Sequence, residues 1–215
     1  MTKKKFKASL HKDFKAKKVS PKESDPSINW QVNEYESAGS FIHSITADGR
    51  AFTNIFNGKK DKEHGVEWWV YALDLEEPNR KVKESNEDYQ KRLDSKKLAT
   101  LEELKAHHAF FNQYAVNVYH TPNSTSEKNR LRVIFIGDRA VTNVDDFERI
   151  GTYLQSQFSE YHQDSVVKEA SRYFYGTDAS QFADVSFTPN EENRIPIDEI
   201  LCSGSKPTIQ LRGRF

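Results

Sequence analysis

The chain has 215 residues, enough for one large or two small domains with a sizeable core. Its 32 basic and 32 acidic side chains cancel, which argues against a general polyanion binder. A 12% aromatic content at a mean hydropathy of −0.82 describes a polar chain that still folds. The one cysteine, Cys202, excludes an internal disulfide, and no Cys/His spacing suits structural zinc. No apolar run approaches the roughly 20 residues that span a bilayer, and the lysine-rich start lacks a signal peptide's apolar segment. No membrane partner and a cytoplasmic location are therefore expected.

Between Met1 and Lys22 there are nine lysines and one acid, so residues 1–27 read as a basic, mobile arm ahead of a domain over 28–215. Such an arm is suited either to solubility or to sequence-independent contact with phosphates. From Asn29 to Gly58 apolar residues, among them Phe41, Ile42, Ile45, Phe52 and Ile55, are scattered between turn signals at Asp48-Gly49 and Asn57-Gly58. Strand and turn structure is expected there. The run from Trp68 to Glu76 is β-branched and aromatic and ends in two acids one residue apart, which reads as a buried strand. Alternate residues of a strand share a face, so Asp74 and Glu76 project together.

Asn86 to Leu98 reads as an exposed helix, and Thr100-Leu101-Glu102-Glu103 has the spacing of a capping box. A helix with Leu101, Leu104, His108 and Phe111 on one face follows from it. Tyr114 to His120 alternates as a half-buried strand, and a polar loop joins it to a nearly continuous apolar strand, Leu131 to Ile136. The short connection makes the two strands antiparallel. Asn143 is placed to cap a helix over about 144–158. Beyond it lie Asp164, then Arg172 with Tyr173-Phe174-Tyr175, then a proline-containing tail.

Two acids on one strand face repel unless a cation lies between them, which suggests Mg²⁺ or Mn²⁺. On the Leu131 strand, Arg130 and Arg132 share a face, preceded by Ser124, Thr125 and Lys128. Guanidinium groups bind phosphate oxygens in bidentate fashion, so these residues outline a triphosphate clamp. Metal and cations together suit phosphoryl or nucleotidyl transfer. Bland readings stand beside this one. Arg130 and Arg132 also suit a solvated strand face, Asp164 suits a helix cap, and Tyr173, Phe174 and Tyr175 suit either core or base stacking.

In this arrangement the chain resembles the archaeo-eukaryotic primase superfamily, in particular the primase-polymerase domains of plasmid, phage and bacterial replication proteins. The resemblance covers roughly residues 66 to 178. It is carried by Leu73-Asp74-Leu75-Glu76, by Glu127-Lys128-Asn129-Arg130-Leu131-Arg132, and by Asp164 with Ser171-Arg172-Tyr173-Phe174-Tyr175. Where the second motif of that family has a histidine, this chain has Ser124. The resemblance implies an α+β fold, a mostly antiparallel sheet with an RRM-like core flanked by helices. It also implies template-directed nucleotidyl transfer on single-stranded DNA from nucleoside triphosphates. Asp74, Glu76 and Asp164 would be catalytic metal ligands, with Ser124, Thr125, Lys128, Arg130, Arg132 and Arg172 around the nucleotide. A replicative helicase domain or protein fits as a further partner. A catalytically silent single-strand-binding module and a metal-dependent nuclease are the alternatives.

Overall fold

The structure, a computed structural model, describes residues 5–12, 29–58, 61–125, 128–165, 169–177 and 186–203. It is α+β, with two antiparallel sheets and helices packed on them. The first sheet is formed by β1 (Phe6–His11), β2 (Trp30–Tyr35) and β3 (Phe52–Thr53), with β1 in the middle. The second contains β4 (Ile55–Phe56), β5 (Gly65–Glu76), β6 (Asn117–His120), β7 (Arg130–Val141) and β8 (Ser186–Phe187), in the order β4-β5-β7-β6-β8. Both readings of sheet character, mostly antiparallel and flanked by helices, hold.

Phe6 to His11 falls inside the stretch read as a mobile arm, and it is instead the central strand of the first sheet. Phe6, Ala8 and Leu10 alternate into the core, a period-two signal that the lysines around it obscured. Residues 1–4 and 13–27 of that stretch lie outside the described residues. A second correction concerns Phe41, Ile42 and Ile45, which belong to helix α1 (Ala38–Thr46) rather than to strands. Their spacing places all three on the buried face of that helix.

The remaining helices are α2 (Asn86–Leu93), α3 (Leu101–His107), α4 (Ala109–Tyr114), α5 (Val144–Gln157) and α6 (Ile197–Cys202). Thr100 and Asn143 cap α3 and α5 with their side chains, as their positions indicated. The helix expected to run through His108 breaks there. His108 adopts an extended backbone, and its ring nitrogen accepts the Phe111 amide at the start of α4. Helix α5 lies across one face of the second sheet, where the Phe147 ring stacks on Tyr71 at 5.0 Å.

From β5 the chain runs through helices to β6, returns in β7, and enters α5. After α5 a short extended stretch comes back beside β5, on the edge away from β7: Leu75 bridges Gln163 in antiparallel sense. The Glu76 amide donates to the His162 carbonyl (3.1 Å) and the Asp164 amide to the Asp74 carbonyl (3.0 Å). The fourth extended piece thus lies beside the first, with the third between first and second. This is the connectivity of a split β-α-β-β-α-β core, the RRM-like element expected. Near its start β5 carries a bulge between Trp68 and Val70, and Asn54 fills it. Its Oδ1 accepts both the Trp69 and Val70 amides, and its Nδ2 donates to the Val70 carbonyl.

Candidate active site

Asp74 and Glu76 share the face of β5 opposite to α5, and register sets Arg132 directly across from Asp74 and Arg130 across from Glu76. Across β7, Arg132 faces Tyr119 of β6. Arg132 grips Asp74 with two parallel bonds, Nε to Oδ1 at 2.5 Å and Nη2 to Oδ2 at 2.6 Å. Neither partner is solvated: Asp74 is 5% exposed and Arg132 7%. An ion pair this dry holds together only if the remaining donors are met. Arg132 Nη1 donates to the Tyr175 carbonyl at 2.8 Å and lies 3.4 Å from the Tyr119 hydroxyl, while the guanidinium rests on the Phe174 ring at 4.7 Å.

The other two acids are paired in the same way, closer to the surface. Arg130 Nη1 lies 3.0 Å from Glu76, and Arg172 Nη2 donates to Asp164 at 2.9 Å. Glu76 is half-buried and close enough to feel the negative charge of both Asp74 and Asp164. Burial, opposed by Arg130 and reinforced by those two acids, holds its carboxyl above the ordinary glutamate range. Around the rim, Arg130 Nη2 and Lys128 Nζ both reach Asn79 Oδ1, at 3.1 and 3.2 Å. The Nε of Arg130 is buried with no acceptor among the described residues.

Asp74, Glu76, Asp164, Lys128, Arg130, Arg132 and Arg172 therefore meet at one end of the second sheet. Ser124 and Thr125 are adjacent to it, but their hydroxyls shape the loop. Ser124 Oγ accepts the Arg130 amide at 3.0 Å and lies 3.2 Å from His120 Nδ1, and Thr125 Oγ1 accepts the Lys128 amide. Three groups escaped the sequence reading: the Tyr119 hydroxyl, the Tyr175 carbonyl and the Phe174 ring, which enclose Arg132. Only Tyr119 left a signal, since the antiparallel pairing of β6 with β7 sets it opposite Arg132.

No family model matches the chain, and no curated protein does. A solved structure does. The AEP domain of the cyanophage S-2L primase-polymerase is similar to this chain with a TM-score of 0.44 at 6% identity, over 94% of this chain and 89% of that one.

Three carboxylates at one strand end are oxygen donors of the kind that Mg²⁺ and Mn²⁺ take. They suit such an ion in donor chemistry. In the present arrangement, each is neutralised by an arginine, and among the described residues no three acidic, imidazole or thiol groups stand together as a metal cage.

Proposed function

We propose that this chain carries out template-directed nucleotidyl transfer in the manner of a primase-polymerase, with single-stranded DNA as template and nucleoside triphosphates as substrates. The observation that carries this reading is the arrival of Asp164 at the end of β5, beside the acids of that strand and amid four cationic side chains. Asp74, Glu76 and Asp164 would hold Mg²⁺ or Mn²⁺, which supplies charge neutralisation at the reacting phosphorus when bound. Arg130 and Lys128 sit at the rim, where their cationic ends suit phosphate oxygens. Arg132 is enclosed by Phe174 and Tyr119, so its task is to fix Asp74 rather than to reach substrate. Arg172 draws from Asp164 toward phosphate or template. Because Arg130 and Arg172 already have acids, triphosphate binding exchanges one anionic partner for another there and frees Glu76 and Asp164 as it does so.

A second reading has an observation in its favour. Every one of the three acids is spoken for by an arginine, which suits a domain that binds single-stranded nucleic acid without catalysis.

Labelled nucleotides offered on single-stranded DNA, with and without primer, in Mg²⁺ or Mn²⁺, separate the two. Glu76→Gln and Asp164→Asn are the informative variants, because both positions are only partly buried and the dry Asp74–Arg132 pair stays intact. Native incorporation that drops by roughly a hundredfold or more in each variant supports nucleotidyl transfer. Template binding without incorporation or metal dependence, by a native chain that is folded, would sink it in favour of the silent module.

A further inference from the structure

The turn that follows β5 reaches the rim cations of the candidate site through one exposed side chain, Asn79. Its Oδ1 accepts from Lys128 Nζ at 3.2 Å and from Arg130 Nη2 at 3.1 Å, so two cationic donors meet on one neutral oxygen. An amide oxygen has two lone pairs and the amide nitrogen only donates, which fixes the carboxamide with its oxygen toward the cations. Neither cation is fully solvated, with side-chain exposures of 28% for Lys128 and 17% for Arg130. Each also has an acid within reach: Arg130 Nη1 lies 3.0 Å from Glu76, and Lys128 Nζ lies 3.9 Å from Glu77.

The backbone of Asn79 is held separately, from α2. Its carbonyl accepts from Arg92 Nη2 at 2.9 Å, and Arg92 grips the Glu84 carboxylate with two further bonds, at 3.0 and 2.7 Å. Arg80 closes the same turn by donating Nε and Nη2 to the Glu84 carbonyl, at 3.2 and 2.7 Å. The Tyr89 hydroxyl of α2 donates to Glu77. With the turn braced in this way, the Asn79 side chain can leave the two cations without unfastening it.

Two cationic donors that converge on one point make that point a place for an anionic oxygen. A neutral amide oxygen there keeps the cations spaced and yields to a phosphate, whose charge-assisted bonds to both are stronger. We propose that Asn79 is the positioning residue of a subsite for the outer phosphates of a nucleoside triphosphate, its carboxamide oxygen marking where a phosphate oxygen is received between Lys128 and Arg130. That the ligand is a triphosphate rests on the reading given under Proposed function, in which the reacting phosphorus lies at the acids of β5. The phosphates beyond it are then left to the rim.

The test is calorimetric titration of the full chain with adenosine triphosphate and with adenosine monophosphate. Oligothymidylate is present throughout, and EDTA prevents turnover. The native chain is expected to bind the triphosphate tighter by about tenfold or more. Asn79→Asp sets a carboxylate between the same two cations. It should weaken triphosphate binding by about tenfold or more and leave the monophosphate, which does not reach the rim, within about twofold of native. Asn79→Ala removes a brace and a competitor at once, two opposed effects, and should bind triphosphate within about threefold of native. Both variants keep the backbone carbonyl that Arg92 holds, so a Tm within about 2 °C of native is expected for each.

A purely structural Asn79 would instead weaken both nucleotides alike, and more in Asn79→Ala than in Asn79→Asp. A native chain that binds the two nucleotides equally, or Asn79→Asp with native triphosphate affinity, overturns the subsite. So does a loss in Asn79→Ala as large as that in Asn79→Asp. If the native chain incorporates nucleotides while Asn79→Asp binds triphosphate as the native chain does, the subsite fails and the polymerase reading stands. If Asn79→Asp loses the triphosphate selectively and the native chain never incorporates a nucleotide, the subsite stands and the polymerase reading fails.

Discussion

Arg132 has its guanidinium between the Asp74 carboxylate, the Tyr175 carbonyl and the Phe174 ring, with side-chain exposures of 8% for Arg132 and 7% for Asp74. Removing one charge of such a pair leaves the other buried without a counter-ion, which costs about 3–5 kcal/mol. Asp74→Asn should lower the unfolding free energy by that amount in urea titration. The double exchange Asp74→Leu with Arg132→Met should recover most of it, because no stranded charge remains. An equal loss in both would show that the pair is not energetically coupled. Glu76 gives a pH signature instead. Its carboxyl is raised in the fold, so above the ordinary value of 4.5 the native chain holds a proton that the unfolded chain has released, and stability falls as pH rises across that window. Glu76→Gln removes this penalty. The stability of the variant relative to native should therefore climb as pH rises past the ordinary value of 4.5 and level off once the native carboxyl has also ionised, and a flat difference would contradict the shift.

At the scale of the element, β5 positions both carboxylates only if its register against β7 is kept, since a slip of one residue turns every side chain to the other face. The bulge at its start is where that register is secured. Asn54 supplies the acceptor for two strand amides, those of Trp69 and Val70. Asn54→Ala leaves both without an acceptor in a buried setting, and the expected loss is about 3 kcal/mol, from ~1–3 kcal/mol for each orphaned group. Hydrogen exchange at Val70 should accelerate accordingly; unchanged protection there would mean that the bulge is held by other contacts. Legibility at this scale followed periodicity. Strands β5, β6 and β7 and the capped helices α3 and α5 were readable because pattern and cap agreed. Helix α1 was not, because two nearby turn signals and its short length favoured strands.

At the scale of the molecule, residues 174–177 staple the two sheets together. Phe174 pairs with Phe52, the Thr177 amide donates to the Ile45 carbonyl, and Thr177 Oγ1 donates to the His120 carbonyl at 2.7 Å. Gly176 makes this crossing possible. A Cβ there would lie 2.3 Å from the Ile45 carbonyl oxygen and 2.8 Å from that of Arg50, both fixed backbone atoms. Gly176→Ala should destabilise the fold by about 1–3 kcal/mol and pull the Tyr175 carbonyl away from Arg132, read as a lower Tm with altered near-ultraviolet circular dichroism. A variant with native Tm would show that the staple has room to shift. One continuous core spans both sheets, from Phe6 and Phe52 to Val133 and Leu154. Far- and near-ultraviolet transitions of the native chain should coincide, and separate transitions would divide it into two folding units.

Residue chemistry and period determined much of this protein without reference to the fold. Asp74 and Glu76 share a face because strand geometry demands it, Arg130 and Arg132 share one for the same reason, and a short connection makes β6 and β7 antiparallel. Tertiary structure alone decided that the two faces are registered acid against arginine, and that Asp164 joins them by pairing along the far edge of β5. It also decided that Arg132 is buried while Arg130 stays at the rim, and that Phe174 turns inward while its tyrosine neighbours turn outward. Those facts depend on which segments distant in sequence pack over a given face, and no local pattern of apolar and polar residues encodes that choice.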